Sequence, residues 1–350
     1  MLLSACALLL NQALFLYRMN IIMAEKILVA GGAGYIGSQV NKHLNRNGFE
    51  TVVFDNLSTG FRRLACYGDF FEGDLKNIED LERCFKKYKI SAVMDFAAFA
   101  SVGESVQNPA KYYRNNVSNT INLLDAMRKF GINKLIFSST CATYGAVPPK
   151  LLTENQPQNP VNPYGRTKLI MEMAMKDYSA AYGLKFAALR YFNAAGADPE
   201  CEVGELHDPE THLIPLVLDA ASGRRPCISV FGKDYNTPDG TCIRDYIHTE
   251  DLAQAHRLAL QHLLSGGGNA AFNLGNGQGY SVLDIIKAAE KVTGRKIPVE
   301  ISGRRAGDPD FLVGSSQLIK NKIGWNPQYA EIETIIKHAW AWHQKNYKAA

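Results

Sequence analysis

An α/β fold, built on a doubly wound parallel sheet with a smaller C-terminal α/β lobe, is what this 350-residue sequence predicts. Three observations carry that reading. From Lys26 to about Asn193, short apolar or β-branched runs alternate with helical patterns, which is the mark of βαβ units. A glycine-rich turn joins the first strand to the first helix. After Asn193 the rhythm changes to loops rich in Gly, Pro and Asp with shorter helices, a composition shift expected of a second lobe. The expected division is an extension at 1–22, a sheet domain at 23–193 and a second lobe at 194–350, with some exchange of segments between lobes.

Taken in order, the apolar run Ile27 to Ala30 is the first expected strand, and the glycines after it lead into a helix from about Tyr35 to Asn47. Thr51 to Phe54 gives the second strand, a third is placed just before Gly73, and a helix is expected at about Ile78 to Tyr88. Strands at Ala92 to Ala97, Lys134 to Ser139 and Lys185 to Tyr191 alternate with helices at about Lys111 to Phe130 and Pro163 to Tyr182. The second lobe contributes helices around Leu213 to Ser222, Thr249 to Leu264, Val282 to Thr293 and Ile332 to Asn346. Gly266-Gly267-Gly268 reads as a flexible turn after a helix.

Composition narrows the function. With 46% hydrophobic and 21% charged residues the chain is an ordinary globular sequence, and 38 basic against 34 acidic side chains leave no field for nucleic acid. Seven scattered cysteines without a C-x-x-C pair argue against a disulfide framework or a zinc knuckle and fit a reducing cytosol. The apolar stretch Met1 to Tyr17 carries no Lys or Arg before it and is shorter than the ~20 residues of a membrane span. Met19 and Met23 offer later starts, so 1–22 is expected to be dispensable, with an export or anchoring segment as the competing reading.

Ile27-Leu28-Val29-Ala30-Gly31-Gly32-Ala33-Gly34-Tyr35-Ile36-Gly37 is a buried strand running into a G-x-x-G-x-x-G turn and a helix. Glycines remove the Cβ that would hold a pyrophosphate off the backbone, and the helix N-terminus presents unpaired N–H groups to it. The sheet is therefore expected to be Rossmann-like. Asp55 closes the second strand 18 positions after Gly37, where a carboxylate accepts from both ribose hydroxyls and repels a 2′-phosphate, which favours NAD over NADP. In the competing reading Asp55 caps a turn with Asn56. Asp74 follows the third strand, where either an adenine contact or a plain loop carboxylate is expected.

Tyr164-Gly165-Arg166-Thr167-Lys168 places a phenol and an ammonium on one helix face. A phenol is a poor base at neutral pH unless cations favour its anion. Ser138-Ser139-Thr140 at the carboxyl end of the fifth strand lies where open α/β sheets bind ligands, so a hydroxyl there could meet the phenol over one substrate oxygen. This order of features points to hydride transfer at an alcohol carbon. Tyr/Lys pairs at this spacing also occur on solvated helices.

Further segments extend the pattern: Asp55-Asn56-Leu57-Ser58, Phe96-Ala97-Ala98, Tyr112-Tyr113-Arg114-Asn115-Asn116-Val117, Tyr144-Gly145, Asn162-Pro163-Tyr164-Gly165, Arg190-Tyr191-Phe192-Asn193-Ala194-Ala195-Gly196, Asp239-Gly240-Thr241, Arg244-Asp245-Tyr246-Ile247-His248 and Arg304-Arg305-Ala306-Gly307-Asp308-Pro309. With them, from about Met23 to the C-terminus, the sequence resembles the extended short-chain dehydrogenase/reductases, and within these the NAD-dependent sugar-nucleotide epimerases. The resemblance implies reversible C4 epimerisation of a UDP-hexose, UDP-glucose to UDP-galactose, in galactose metabolism. Tyr164 would take the proton of the sugar 4-hydroxyl while NAD+ accepts the hydride from C4, and the 4-keto sugar would turn and receive the hydride on its other face. Lys168 would hold the nicotinamide ribose and bias the phenol toward its anion, and Thr140 would bond the 4-oxygen.

The implied cofactor set is Gly31, Gly34, Tyr35, Ile36, Gly37, Asp55, Asn56, Asp74, Leu75, Phe96, Ala97, Ala98, Asn115, Ser138, Tyr164, Lys168 and Tyr191. For the nucleotide sugar it implies Thr140 and Tyr164 with Asn193, His212, Leu213, Val230, Phe231, Arg244, Arg305 and Asp308. Two guanidinium groups suit a diphosphate because each offers several donors in a fixed plane. It also implies a homodimer paired through the helices at about Lys111 to Phe130 and Pro163 to Tyr182.

Some positions depart from the pattern. Ala100 stands where some members carry a lysine, His212 where some have asparagine, and Leu312 at the gate of the hexose pocket. UDP-N-acetylglucosamine and UDP-pentoses therefore stay open as substrates, and so does a different class, an idle NAD-binding sensor or scaffold. Cys141-Ala142 follows Thr140 where dehydratases have an Asp-Glu pair, so elimination of water lacks its acid and base. Cys141 reads as a buried thiol without a paired base. His207 and His212 lie five apart without a third ligand at metal spacing, so no metal is expected.

Overall fold

The computed structural model describes residues 25–146, 150–305 and 308–347. The segment 1–22 and the reading made of it lie outside the described residues. In chain order the strands are β1 (Lys26–Ala30), β2 (Thr51–Asp55), β3 (Asp69–Glu72), β4 (Ile90–Asp95), β5 (Lys134–Thr140), β6 (Lys185–Tyr191), β7 (Asn193–Ala195), β8 (Ile228–Phe231), β9 (Ile243–His248), β10 (Ala270–Leu274), β11 (Gly279–Ser281), β12 (Val299–Ser302) and β13 (Phe311–Leu312). A seven-stranded parallel sheet runs β10-β6-β5-β4-β1-β2-β3. Its direction of winding reverses between β1 and β4, the crevice where doubly wound sheets take ligands.

Side chains of successive strand residues go to opposite faces, and β1 divides accordingly. Ile27 and Val29 pack with Val40 and Leu44 of helix Tyr35–Arg46 and with Leu252, Ala255 and Ala259 of helix Thr249–Leu264. Leu28 and Ala30 join Leu81, Leu123 and Met171 from helices Ile78–Lys87, Asn119–Lys129 and Pro163–Tyr182. Both faces being covered explains why β2 is buried along its whole length.

The second lobe holds β9 flanked by β11, β13 and β7, and a β12-β8 pair. Its core gathers Ile214, Val217, Tyr246, Ile285 and Ile335. Segments cross the expected division at residue 193. Helix Thr249–Leu264 covers the first sheet, and β10 pairs with β6 in register from Ala270↔Ala187 to Leu274↔Tyr191. Phe272 and Leu274, apolar and fully buried, complete the first core and not the second.

The expected helix Lys111 to Phe130 is three pieces: Pro109–Tyr112, a wider turn Tyr113–Ser118, and Asn119–Lys129. It begins early because Asn108 accepts from Lys111 N–H at 3.2 Å and Pro109 suits the first helical position. Strand β4 ends at Asp95, two residues before the expected Ala97, because Asp95 Oδ1 takes the Ala97 N–H at 3.0 Å and turns the chain out of the sheet.

Candidate active site

The cofactor cradle is built by close backbone approach. Gly31 sits at φ +74°, and a Cβ there would stand 2.7 Å from the Ala97 nitrogen. A Cβ at Gly37 would stand 2.2 Å from the Gly31 carbonyl oxygen. No other residue fits either place. Helix Tyr35–Arg46 starts at Gly34 with no side-chain cap, which leaves its first N–H groups for an anion.

Asp55 is buried at the tip of β2, its Oδ2 accepting from Ala33 N–H at 2.9 Å and Oδ1 from Leu57 N–H at 2.8 Å. Burial raises its pKa against the pull of those two donors. The Leu57 bond is the turn cap of the competing reading; the Ala33 bond ties the carboxylate to the glycine loop as well. Asn56 Nδ2 donates to Asp74 Oδ2 at 3.1 Å, and Leu75 is buried below them. These features fit the adenosine half of NAD.

Tyr35 donates its hydroxyl to the Gly196 carbonyl at 2.6 Å, and Ile36 packs on the core, so toward the loop both offer only backbone. Phe96, Ala97 and Ala98 form the exit from β4, with Phe96 N–H on the Ala30 carbonyl at 2.9 Å. Asn115 Nδ2 donates to Asn116 Oδ1 at 3.0 Å.

Helix Pro163–Tyr182 carries the two side chains expected to act on the sugar and the nicotinamide ribose. Asn162 caps it by accepting from Gly165 N–H at 2.8 Å, with Pro163 first in the helix, so Tyr164 and Lys168 fall in its opening turns. Lys168 is buried and its ammonium donates a hydrogen bond to the Ser138 carbonyl at 2.8 Å. Burial lowers its pKa to about 8, while the Asp95 and Glu172 carboxylates push the other way. Asp95, also buried, is raised to about 6 by desolvation and held down in part by Lys168.

Burial lifts the Tyr164 phenol to about 12, the Thr140 hydroxyl draws it down, and Cys141 adds to the rise. The Lys168 ammonium is bonded to β5 and lies in the field of Asp95. Thr140 Oγ1 accepts from Ala142 N–H at 3.1 Å, which leaves its own O–H to donate on the side of the phenol. Tyr191 donates its hydroxyl to Ser138 Oγ.

Three groups were not foreseen. Glu172 and Arg190 form a buried ion pair joined by Ser139 and Tyr144. Asn116, in the wide turn, accepts from Phe99 N–H and donates to the Phe99 carbonyl, both at 2.9 Å, pinning the loop after β4. Asp95 is the third. Asn116 and Arg190 stand in quoted segments of the sequence pattern, but nothing there gives their partners.

Of the expected nucleotide-sugar residues, Asn193 lies on β7 opposite Tyr246, and Leu213 opens helix Leu213–Ser222. Arg305 lays its guanidinium over the Phe231 ring at 3.9 Å. Arg244 donates to the Ile243 and Pro309 carbonyls at 2.9 and 2.8 Å, and lies 3.5 Å from Asp308. Leu312 of β13, in register with Arg244, packs against the cluster of Cys141, Tyr144, Leu152 and Phe192, so β13 brings β9 toward the end of β5; desolvation pushes the buried Cys141 thiol up to about 12.

Two side chains depart from expectation. Val230 alternates with Phe231 along β8 and points into the second core, so its side chain is not available to a ligand. The His212 imidazole turns to Glu205 and Glu210, with Nδ1 2.8 and 3.1 Å from their oxygens, and is not presented as a free cation for a diphosphate. The loop gathers Glu205, His207, Glu210 and His212 with donor atoms within 4.8 Å of one another, a set that the spacing of the two histidines alone does not reveal.

Residues 27–275 match the NAD dependent epimerase/dehydratase family. Over 322 residues, 92% of this chain and 98% of the relative, the sequence is 50% identical to a protein of Rhizobium leguminosarum bv. trifolii named UDP-glucose 4-epimerase. The crystal structure of UDP-glucose 4-epimerase from Brucella ovis in complex with NAD is similar with a TM-score of 0.89 at 52% identity, covering 91% of this chain and 98% of that one. That of UDP-glucose 4-epimerase from Bifidobacterium longum in complex with NAD+ and UDP gives 0.88 at 34% identity, covering 93% and 100%. With the glycine cradle, Asp55 and the Tyr164–Lys168 helix in one crevice, the chain belongs to the NAD dependent epimerase/dehydratase family.

Proposed function

We propose that this protein interconverts UDP-glucose and UDP-galactose by inverting C4 through a 4-keto sugar, with NAD held throughout the cycle. The observation that carries the reading is the 2.8 Å bond from Lys168 to the Ser138 carbonyl, which docks the helix bearing Tyr164 on the end of β5 that bears Thr140, beside a cofactor cradle closed by Gly31 and Gly37. When bound, NAD supplies the hydride acceptor and donor, and its oxidised ring is the positive charge that favours the phenolate.

Tyr164 takes the proton of the 4-hydroxyl at its Oη and returns it after inversion. Thr140 donates its O–H to the 4-oxygen. Lys168, fixed on the Ser138 carbonyl, presents its remaining protons to the ribose side of the cradle. Arg244 and Arg305 bind the diphosphate, anchoring the part of the substrate that does not react and leaving the hexose free to turn.

Purified protein should convert UDP-galactose without added dinucleotide, and hydrogen labelled at C4 should stay on carbon. Loss of that label to water, or turnover in protein stripped of dinucleotide, refutes the scheme. We also infer a homodimer through helices Val102–Gln107 and Pro163–Tyr182 and the turn Tyr113–Ser118, where Val106, Tyr113, Ile170 and Met173 stand exposed. A cytosolic setting fits the free thiols among the described residues. Light scattering tests the dimer, and a monomer at micromolar protein overturns it.

A further inference from the structure

We infer that Glu205, His207, Glu210 and His212 form a site for one divalent transition-metal ion of the zinc class. Four donors from one short loop converge there. Glu205 Oε1 lies 2.8 Å from His212 Nδ1 and 3.2 Å from His207 Nδ1. Glu210 Oε1 lies 3.1 Å from His212 Nδ1, and its Oε2 3.4 Å from His207 Nδ1. Tetrahedral zinc with bonds of ~2.0–2.2 Å separates its ligand atoms by roughly 3.3–3.5 Å, so these spacings already resemble the edges of a coordination polyhedron.

The second observation is independent of proximity. Glu205 Oε1 and His207 Nδ1 are both sealed from solvent without a hydrogen-bond partner, although they lie 3.2 Å apart. An ion placed between them would use both acceptor positions at once. The Glu205 side chain is 7% exposed, so no bulk water takes that role.

Chemistry selects the ion. The carboxylates favour protonated imidazoles, so an incoming ion must displace those protons; the deprotonated set then carries −2, which one divalent cation balances, and mixed nitrogen and oxygen donors favour zinc over magnesium or calcium. The ligands are also held from behind. Glu210 Oε1 accepts from the N–H groups of Thr211 and His212 at 2.7 and 2.8 Å, and the Glu205 carbonyl accepts from Trp342 Nε1 at 2.8 Å. The neighbouring acidic group of Asp198, Glu200 and Glu202 differs, because the Lys42 ammonium sits in it, 3.0 and 2.9 Å from the latter two.

The site is structural and lies outside the Tyr164, Lys168 and Thr140 machinery. The His207 ring stands edge-on to Tyr35 at 6.1 Å, and His212 immediately precedes helix Leu213–Ser222. A bound ion therefore links the start of the cofactor helix to the start of the helix expected at the uridine.

The test uses the NAD-loaded full chain, freed of metal with a chelator and titrated with Zn2+ by calorimetry and with Co2+ by visible absorption. One ion per chain at micromolar Kd or tighter, with the intense absorption of tetrahedral Co2+ and a raised Tm, is expected. Glu205→Gln and His207→Asn should each weaken binding at least tenfold, and Glu200→Gln should not. If one variant loses its NAD and its fold, the other decides. Absence of saturable binding below millimolar in the wild type, or unchanged affinity in the folded Glu205 and His207 variants, overturns the assignment.

Discussion

Glu172 and Arg190 meet at two points beneath the catalytic helix, with Arg190 Nε 2.9 Å from Oε1 and Nη2 2.5 Å from Oε2, and side chains only 2% and 5% exposed. Ser139 Oγ donates to the same carboxylate at 2.5 Å, and Arg190 Nη1 donates to the Tyr144 hydroxyl at 2.9 Å. Helix Pro163–Tyr182 is thereby bolted to β5 and β6 directly behind the residues that present Tyr164, Lys168 and Thr140. Removing one charge leaves the other buried without a partner, which in proteins costs about 3–5 kcal/mol. Glu172→Gln should accordingly lower stability in urea by about that amount; a loss under ~1 kcal/mol would mean that water reaches the pair.

Tyr164→Phe removes the Oη that moves the proton and little else. Turnover should fall by roughly 10²- to 10⁴-fold, as expected for loss of a positioned acid–base group, while the calorimetric Kd for UDP stays unchanged. Weakened UDP binding in that variant would place the phenol in the wrong half of the site.

Lys168 gives opposite pH trends for activity and stability. Its folded pKa of about 8 lies below the ordinary 10.5, so between those values the unfolded chain holds the proton that the native protein has released. The unfolded state then binds more protons, and this residue's contribution to stability rises with pH across that window. Activity goes the other way: kcat should fall above about pH 8 as the ammonium loses its charge. A flat kcat profile from pH 7 to pH 9 would contradict the role given to this cation.

Gly37→Ala tests the cradle. The added Cβ would stand 2.2 Å from the Gly31 carbonyl oxygen, so the loop must shift away from the helix. Overpacking of this kind costs roughly 1–3 kcal/mol, and the purified variant should lose most of its bound dinucleotide by absorbance and mass spectrometry. Full retention of NAD would show that the loop has room the geometry denies.

Asp55→Asn removes the charge that rejects a 2′-phosphate while keeping an acceptor for the Ala33 N–H at the tip of β2. Affinity for NAD should drop and the preference over NADP narrow by at least tenfold, measured by competition for stripped protein. Unchanged preference would leave Asp55 as a turn cap alone.

Legibility in the sequence followed locality. Helix Pro163–Tyr182 was readable to its ends because its start signals, Asn162 and Pro163, are neighbours in sequence, and the glycine loop was readable for the same reason. The wide turn Tyr113–Ser118 was not, because Asn116 reaches across to Phe99, a partner with no imprint on helical periodicity. Val230 looked like a ligand contact until the pleat of β8 assigned it to the core. Glu172–Arg190 and the Glu205–His212 loop are polar meetings between residues whose separate positions carry no pattern. Which segments cross between the lobes was not readable, since β10 reads as any short strand and only its partner β6 says which sheet it joins.

That late strand sets a condition on biosynthesis. Until Leu274 has emerged from the ribosome, the nascent sheet ends at β6 with a row of unpaired N–H and C=O groups and an uncovered apolar flank, a template for association with other chains. Translation must therefore run through most of the second half before the first half can close, and a message truncated after Tyr191 would yield a sticky fragment and not a smaller dinucleotide-binding protein.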